Sequence, residues 1–225
     1  MTTHLPPEEY FAEYASGATT PGLTLLMAAH LTHSAQGRER VAAYEALCGA
    51  MLHDEAPSEM ANGALDDVLC AIDAISPATP RDDAAAGAGA LDAVQRAEAC
   101  GPLPAPLQAH IGIPFDDIPW KFRLPGVAVY DLEGFGDQKV QILKARPGAA
   151  VPQHTHNGTE LTLVLQGVLE DNGVEYREGD VAINDEDDDH RPRILGTEMC
   201  YCLIVQQGDL HFTGKFSRIL NYLGE

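Results

Sequence analysis

The stretch PGAAVPQHTHNGTELTLVLQG, residues 147–167, carries the pattern from which the fold is predicted, and it raises the question of a bound metal. His154 and His156 stand one residue apart, and Glu160 follows four residues after the second histidine. Side chains two apart on a strand share a face, so the two imidazoles are expected to project together. Glu160 opens a run rich in β-formers after a turn-prone Asn-Gly-Thr. The stretch predicts a β structure that carries metal ligands.

A further candidate ligand, His190, lies eleven residues after Gly179. Three imidazoles and one carboxylate form a set that borderline divalent ions accept. The sequence therefore predicts one metal site made by four side chains: His154, His156, Glu160 and His190. Zn is the expected ion, with Fe, Mn or Ni as alternatives. Four protein ligands would close a tetrahedral Zn site, whereas an octahedral Fe or Mn would keep two positions open.

The same residues resemble the two motifs of the cupin family. The first motif is complete in its spacing and consists of Gly148, His154, His156, Glu160 and Gly167. In the second motif Gly179 and His190 keep the usual separation, but Asp185 and Asp187 stand where Pro and Gly are usual. The resemblance implies that residues 108–225 form a cupin domain, a jelly-roll-like double-stranded β-helix barrel with the metal inside.

The region before the cupin motifs has a different periodicity. Residues 1–76 contain four short segments with apolar residues at helical spacing: PPEEYFAEYASG, TPGLTLLMAAHLTHSAQG, RERVAAYEALCGAMLH and GALDDVLCAIDAIS. The second segment is predicted to end at Gly37. Residues 77–107, rich in Ala, Pro and Gly, are interpreted as a linker that contains one further helix, LDAVQRAEAC. The predicted fold class is α+β, a small N-terminal helical bundle followed by a cupin barrel.

The charge balance limits the partners. The formal net charge is −20, from 14 Lys and Arg against 34 Asp and Glu. Direct binding to nucleic acid needs a basic surface, so this function is excluded. The acidity suits long-range attraction to a basic protein, and it equally suits solubility alone.

The five cysteines are odd in number and have no framework spacing. No charged-then-apolar signal segment opens the chain, and no apolar run approaches the roughly 18 residues that a membrane span needs. A soluble cytoplasmic protein with free thiols is predicted.

The neighbours of the metal motif narrow the resemblance. The segments PGAAVPQHTHNGTELTLVLQGVLEDNG, GDVAINDEDDDHRP and CYCLIV resemble the C-terminal domain of ChrR-type anti-sigma factors, in which a helical domain also precedes the cupin. This resemblance implies that the helical domain sequesters an alternative (ECF) sigma factor. It also implies that the cupin is needed for release under oxidative stress such as singlet oxygen.

One departure concerns the zinc site of the family's helical domain, which uses an early histidine and a helix reading His-x-x-x-Cys-x-x-Cys. His4 and His30 match the two histidines, but Ser34 and Gly37 replace the two cysteines. Thiolates supply much of the affinity of a structural zinc site. We therefore predict that the N-terminal zinc is absent and that His4 and His30 are vestigial ligands.

Three features leave alternatives open. Cys200 and Cys202 alternate on a strand, either as small buried side chains or, as the resemblance implies, as a redox or signalling pair. The acidic run NDEDDD, residues 184–189, is either a solvated loop or a contact with an ion or a partner. A set of apolar residues forms either an internal core or the surface that grips a sigma factor: Tyr10, Phe11, Tyr14, Leu25, Leu26 and Tyr44.

The predicted function is that of a transcription regulator, an anti-sigma factor. The alternative is a cupin metalloenzyme, dioxygenase- or isomerase-like, whose ion would polarise a substrate oxygen or bind dioxygen. No general base is evident beside the ligand set, so no catalytic residue is predicted. A homodimer formed through the cupin is the third hypothesis.

Overall fold

The computed structural model describes residues 2–74, 101–208 and 210–213. Its helices are α1 (Glu8–Ser16), α2 (Pro21–His33), α3 (Ala35–Asp54), α4 (Ala64–Ala74) and α5 (Ala105–Ile111). A single 3-10 turn, Phe115–Asp117, follows α5. The predicted helix LDAVQRAEAC falls outside the described residues. None of the helices in the described part of the chain is both long and apolar enough to cross a membrane.

The strands that follow form three antiparallel sheets. They are β1 (Lys121–Leu124), β2 (Val127–Leu132), β3 (Lys139–Ala145), β4 (His154–His156), β5 (Glu160–Gln166), β6 (Val168–Asp171), β7 (Val174–Arg177), β8 (Val181–Asn184), β9 (Arg193–Leu195), β10 (Cys200–Gln206) and β11 (Leu210–Phe212). The sheet orders are β1-β2-β3-β10-β5-β8, β7-β6-β9 and β11-β4. This is the predicted cupin architecture, and the α+β fold class is confirmed.

The two faces of the six-stranded sheet bury different sets of side chains. Because side chains alternate along a strand, β10 sends Cys200, Cys202 and Ile204 into a core shared with Leu169 of β6 and Ile194 of β9. That core lies inside the barrel. The intervening side chains point to the opposite face, which is therefore free to pack against another layer.

The N-terminal helices supply that layer. Leu23, Leu26 and Met27 of α2 pack in one buried cluster with residues of the outer sheet face such as Ile142 and Leu203. Six apolar residues were predicted to form either an internal core or the surface that grips a sigma factor. Of these, Phe11 and Leu26 are fully buried. The other four are partly buried against the same cluster: Tyr10, Tyr14, Leu25 and Tyr44. These residues therefore belong to the core, and helices α1–α3 and the sheet share one hydrophobic core.

The chain segment at the N-terminus also joins the helices to the cupin. The buried carboxylate of Asp180 accepts hydrogen bonds from the backbone N–H groups of Thr3 (2.5 Å) and His4 (2.9 Å). The backbone N–H of Val181 donates to the carbonyl oxygen of His4 over 2.9 Å. The N-terminal segment is thus hydrogen-bonded to the start of β8.

The boundary between α2 and α3 differs from the prediction. Helix α2 ends at His33, not at Gly37, and Ser34 has extended backbone angles (φ −113°, ψ 102°). The Ser34 side chain accepts a hydrogen bond from the Gly37 backbone N–H at 2.9 Å, so it caps α3. Gly37 is a close-packing residue: a Cβ there would lie 3.0 Å from Nε2 of His30.

The C-terminal half of α3 and all of α4 differ from the other helices because they bury no large apolar side chain. Leu65, Val68, Leu69 and Ile72 repeat at helical spacing on α4, and each is between 49% and 61% exposed. Leu47, Met51 and Leu52 of α3 are also exposed. We call these seven residues the exposed apolar helix surface.

The predicted linker, residues 77–107, falls largely outside the described residues. Its last part is built into the fold, because Leu103 and Leu107 are buried and α5 begins at Ala105. The sequence predicted that the linker gives way to strands at residue 108. In the structure, a helix crosses this position and extends to Ile111. The division into 1–76, 77–107 and 108–225 stays a prediction.

Candidate metal centre

The four predicted ligands meet inside the barrel. One ligand atom from each of His154, His156, Glu160 and His190 lies within 4.8 Å of every other, and all four residues are buried. Nε2 of His156 is 3.0 Å from Nε2 of His190 and 3.5 Å from Oε2 of Glu160. Two donors bound to one ion at about 2.1 Å lie roughly 3.0–3.4 Å apart. The separations suit a shared ion.

Strand pairing brings these residues together from distant positions in the chain. His154 and His156 occupy inward positions of β4, which pairs with β11, and Glu160 begins β5. The backbones of His154 and His190 exchange two hydrogen bonds of 3.0 Å. His190 is thereby fixed beside β4 although it is in no strand of its own.

Each histidine has a group that holds its Nδ1 atom. The Pro152 carbonyl oxygen is 2.8 Å from Nδ1 of His154, and Oδ2 of Asp171 is 2.7 Å from Nδ1 of His190. An acceptor at Nδ1 fixes the proton there and leaves Nε2 as the ligand atom. Asn184 donates to the same Asp171 oxygen over 3.1 Å and holds the carboxylate in place.

The third histidine, His156, is held by Gln206 on β10. Nε2 of Gln206 lies 3.3 Å from Nδ1 of His156, while Oε1 of Gln206 is buried without a partner among the described residues. A half-turn of the amide exchanges two atoms of similar size. The exchange would place the oxygen against the Nδ1–H of His156, where it can accept a hydrogen bond.

The electrostatics of the ligand group follow from burial. Burial lowers the pKa of His154 and of His156 to about 4, and neighbouring imidazoles add to the effect. Burial raises the pKa of Glu160 to about 7. Burial also disfavours the charged form of His190, but the hydrogen bond and negative charge of Asp171 raise its pKa overall. Two imidazoles are thus neutral and ready to bind a cation at neutral pH.

These observations agree with a divalent ion as the occupant. The donors are of the type that such ions accept, one ligand atom of each residue lies close to the others, and acceptors hold Nδ1 of His154 and His190. The buried His/Glu group could therefore hold a metal, and it is the group of three or more ligand atoms found in the described part of the chain.

Sequence reasoning missed Asp171, Asn184 and Gln206. Asp171 is the first residue of an Asp-Asn-Gly turn. Because Asp is common in turns, its presence there did not indicate a further role. The sequence contained a usable signal for Gln206. This residue follows Cys200, Cys202 and Ile204 at the same two-residue spacing, so it shares the inward face of an apolar strand. A polar residue at such a position needs a partner inside the barrel.

Cys200 and Cys202 are fully buried, and their Sγ atoms are 3.7 Å apart. The hydrogen bond between Cys202 and Cys200, together with burial, raises the pKa of the Cys202 thiol, which keeps it protonated. Their role in packing or in signalling stays an open prediction.

The acidic run forms an exposed turn. The Asp187 N–H donates to Asp185 and the Asp185 N–H donates to Asp188, over 2.9 and 3.0 Å. The side chain of Asp189 accepts from Gln153 at 2.7 Å. Asn184, the first residue of the run, is the exception, since it is buried against Asp171. The structure favours the solvated loop.

The N-terminal ligand set does not assemble in the same way. Nδ1 of His30 lies 2.9 Å from the Gly179 carbonyl oxygen, and the hydroxyl of Ser34 is engaged with Gly37 and Thr2. Among the residues that the structure describes, neither His4 nor His30 is part of a group of three or more side chains that could hold a metal ion. The residues present do not fit the family's zinc ion, and its absence stays a prediction.

Comparison with known proteins agrees with this geometry. The profile of the ChrR cupin-like domain matches residues 108–210. Residues 108–210 are therefore similar to a ChrR cupin-like domain. The matched segment contains all four candidate metal ligands together with Asp171, Asn184 and Gln206.

The similarity to ChrR extends over the helical half. The chain is 29% identical to the anti-sigma-E factor ChrR of Cereibacter sphaeroides over 221 residues, covering 96% of this chain and 95% of ChrR. The structure of Rhodobacter sphaeroides SigE in complex with the anti-sigma ChrR gives a TM-score of 0.75 at 28% identity, covering 92% of this chain and 100% of the matched one. The predicted resemblance to ChrR-type chains is confirmed.

Proposed function

We propose that this chain is an anti-sigma factor that binds an alternative sigma factor through its N-terminal helices. The observation that carries the proposal is the exposed apolar helix surface of α3 and α4. The other N-terminal helices bury their apolar residues against the cupin, whereas this surface has no such cover in the described residues. Its relative ChrR is known in complex with SigE, which supports a sigma factor as the occupant.

The arrangement of α4 suits a protein interface. Four apolar side chains form one stripe, and helix surfaces of this kind bind in or against apolar grooves. Asp66, Asp67 and Asp73 flank the stripe. A strongly acidic chain with acids around an apolar centre favours fast association with a basic protein.

The proposal is tested by co-expression of the full chain with the alternative sigma factors of its own cell, followed by co-purification and affinity measurement. Leu69→Asp and Ile72→Asp are expected to weaken binding by about 30-fold or more, the loss typical of a central interface residue. Phe122→Asp is the matched control, because Phe122 is 87% exposed on β1 of the cupin. Co-purification of none of these sigma factors, or equal binding by all three variants, would overturn the proposal.

For the cupin domain we propose a structural or sensory centre with one divalent ion, held by His154, His156, Glu160 and His190. Zn is the proposed ion, since four protein ligands complete its tetrahedral shell. A bound Zn would cross-link β4, β5 and the segment before β9, and its loss would loosen the barrel. Elemental analysis of the purified full chain tests the identity and number of ions. Release of the sigma factor under oxidative stress is part of the proposal.

The second candidate function is a cupin metalloenzyme. A cavity beside the ligand group favours it, because a substrate needs space next to the ion. Iron or manganese at full occupancy, with dioxygen consumption on a small substrate, would support this candidate. A stoichiometric Zn ion with no turnover would support the regulator.

A further inference from the structure

The barrel contains a cavity that adjoins the candidate metal ligands. Its volume is about 80 Å³, enough for roughly five water-sized groups. Its wall is mostly aliphatic and includes Val127, Leu143, Leu169, Ile194, Ile204 and Leu210. Half-buried Ala149, Val151 and Leu210 lie at its edge. A cavity of this composition suits a small molecule that is mainly aliphatic.

One polar group of this wall has an unused hydrogen-bonding atom. Asp171 is 4% exposed and lines the cavity, and its Oδ2 atom is engaged by His190 and Asn184. Its Oδ1 atom is buried and has no hydrogen-bond partner among the described residues. A buried carboxylate oxygen without a donor is costly, so a ligand that donates a hydrogen bond here would remove the cost.

The charges around the cavity select against anions. The described residues that line it include the acids Glu160 and Asp171 but no Lys or Arg. The charge of a divalent ion at the proposed metal centre would be balanced by these two carboxylates. An anionic ligand would then bring an unpaired charge into an apolar cavity, which is strongly unfavourable.

We infer that the cavity binds a small neutral aliphatic molecule that carries a hydroxyl group. The hydroxyl donates to Oδ1 of Asp171, and the aliphatic part packs between Leu169, Ile194 and Ile204. This inference deepens the proposed sensory role of the cupin and rests on the proposed metal centre for its charge balance. It does not depend on sigma factor binding.

The test uses the full-length zinc-loaded chain with three small probes of similar length. They are 1-butanol, butyrate as its anionic counterpart, and methyl propyl ether as a neutral molecule without a donor. Binding is followed by NMR of the isoleucine methyl groups. Ile194 and Ile204 line the cavity, whereas Ile142 and Ile183 lie on the outer face of the same sheet and serve as internal controls.

Saturable shifts of Ile194 and Ile204 with 1-butanol are expected, with the outer isoleucines unchanged and at least tenfold weaker binding of the other two probes. Asp171→Asn should reduce the ratio of the affinity for 1-butanol to the affinity for butyrate at least tenfold, because the variant lacks one negative charge that repels the anion. The matched Asp187→Asn variant, whose side chain is exposed in the acidic turn, should keep the preference.

Equal affinity for all three probes, tighter binding of butyrate by the unaltered chain, or shifts equal in the inner and outer isoleucines would overturn the inference. Zinc content, measured on the same samples, distinguishes a failure of this inference from a failure of the proposed metal centre. A zinc-loaded chain that ignores 1-butanol contradicts the ligand site alone, whereas a chain that takes up no zinc contradicts the metal centre.

Discussion

At the scale of single residues, Asp171 determines how well His190 can act as a ligand. Its Oδ2 atom holds Nδ1 of His190 at 2.7 Å in a buried position. Imidazole alone could present either nitrogen to an ion, and the carboxylate fixes the choice. We therefore expect a residue outside the ligand set to contribute to the affinity of the proposed metal centre.

Asp171→Ala is expected to lower zinc affinity by about 10- to 100-fold, the usual effect of removing a group that orients a metal ligand. Asp171→Asn should lose less, because its amide oxygen can still accept from His190. Competition titration with a chromogenic chelator measures the change. Asp187→Ala, at an exposed position of the acidic turn, is the control, and an Asp171→Ala variant with unaltered affinity would contradict the assignment.

The affinity for zinc is also expected to depend on pH. Burial raises the pKa of Glu160 to about 7, and the raised pKa of His190 acts in the same direction. A proton on either group competes with the ion, so affinity falls as the pH falls through 7. Glu160 alone predicts a loss of about tenfold between pH 8 and pH 6. A flat titration across this interval would exclude the effect.

For the cysteines, burial predicts the order of reaction with a thiol reagent. Cys70 is exposed and Cys48 is half-buried, whereas Cys200 and Cys202 are buried. We expect the first two to be modified quickly and the barrel pair only on unfolding. Mass spectrometry of labelled peptides before and after oxidant measures this order. When the chain is unfolded before labelling, identical labelling with and without oxidant would favour packing, and loss of labelling at the pair would favour a redox role.

At the scale of elements, the break between α2 and α3 depends on one side chain. Ser34 ends α2 and caps α3 through the hydrogen bond from Gly37. The sequence predicted one helix up to Gly37 because glycine is a common stop signal for helices. Capping competes with helix continuation only when the hydroxyl finds its N–H partner.

Ser34→Ala is expected to lower the free energy of unfolding by about 1 kcal/mol, because the cap is lost. Thr20→Ala provides a matched control, since Thr20 occupies the same position before α2 but makes no side-chain cap hydrogen bond. Urea denaturation of both variants measures the difference. Equal losses would show that the hydroxyl of Ser34 does not stabilise α3.

At the scale of the whole molecule, the helices and the barrel act as one packed unit. Helix α2 lies on the outer face of the sheet, and Asp180 binds the N-terminal segment. Gly179 allows the close approach: it has φ +85°, and a Cβ there would lie 2.8 Å from Cβ of His33. A change inside the barrel can therefore affect the position of the helices through β8.

Asp180→Ala is expected to lower the free energy of unfolding by about 2–4 kcal/mol, because three backbone N–H groups lose a charged acceptor. Hydrogen exchange at residues 3 and 4 should speed up at the same time. Asp185→Ala, on the exposed turn, is the control. Unchanged exchange at both residues would contradict a role of Asp180 in joining the helices to the cupin.

Residue spacing alone predicted helices within the first 76 residues, a β-rich domain after them and four candidate ligands, and the resemblance of the two motifs implied the cupin fold. The predictions from spacing depend on local patterns: alternation along strands, apolar repeats on helices, and the separation of the histidines in the first motif. Which apolar residues are core and which are exposed depends instead on the packing of distant elements. Phe11 and Leu26 resemble Leu69 and Ile72 in sequence, and they differ only in whether another element covers them. The roles of Asp171 and Gln206 were likewise decided by strands distant in the chain, because a polar side chain gains its function from the partner that folding brings to it.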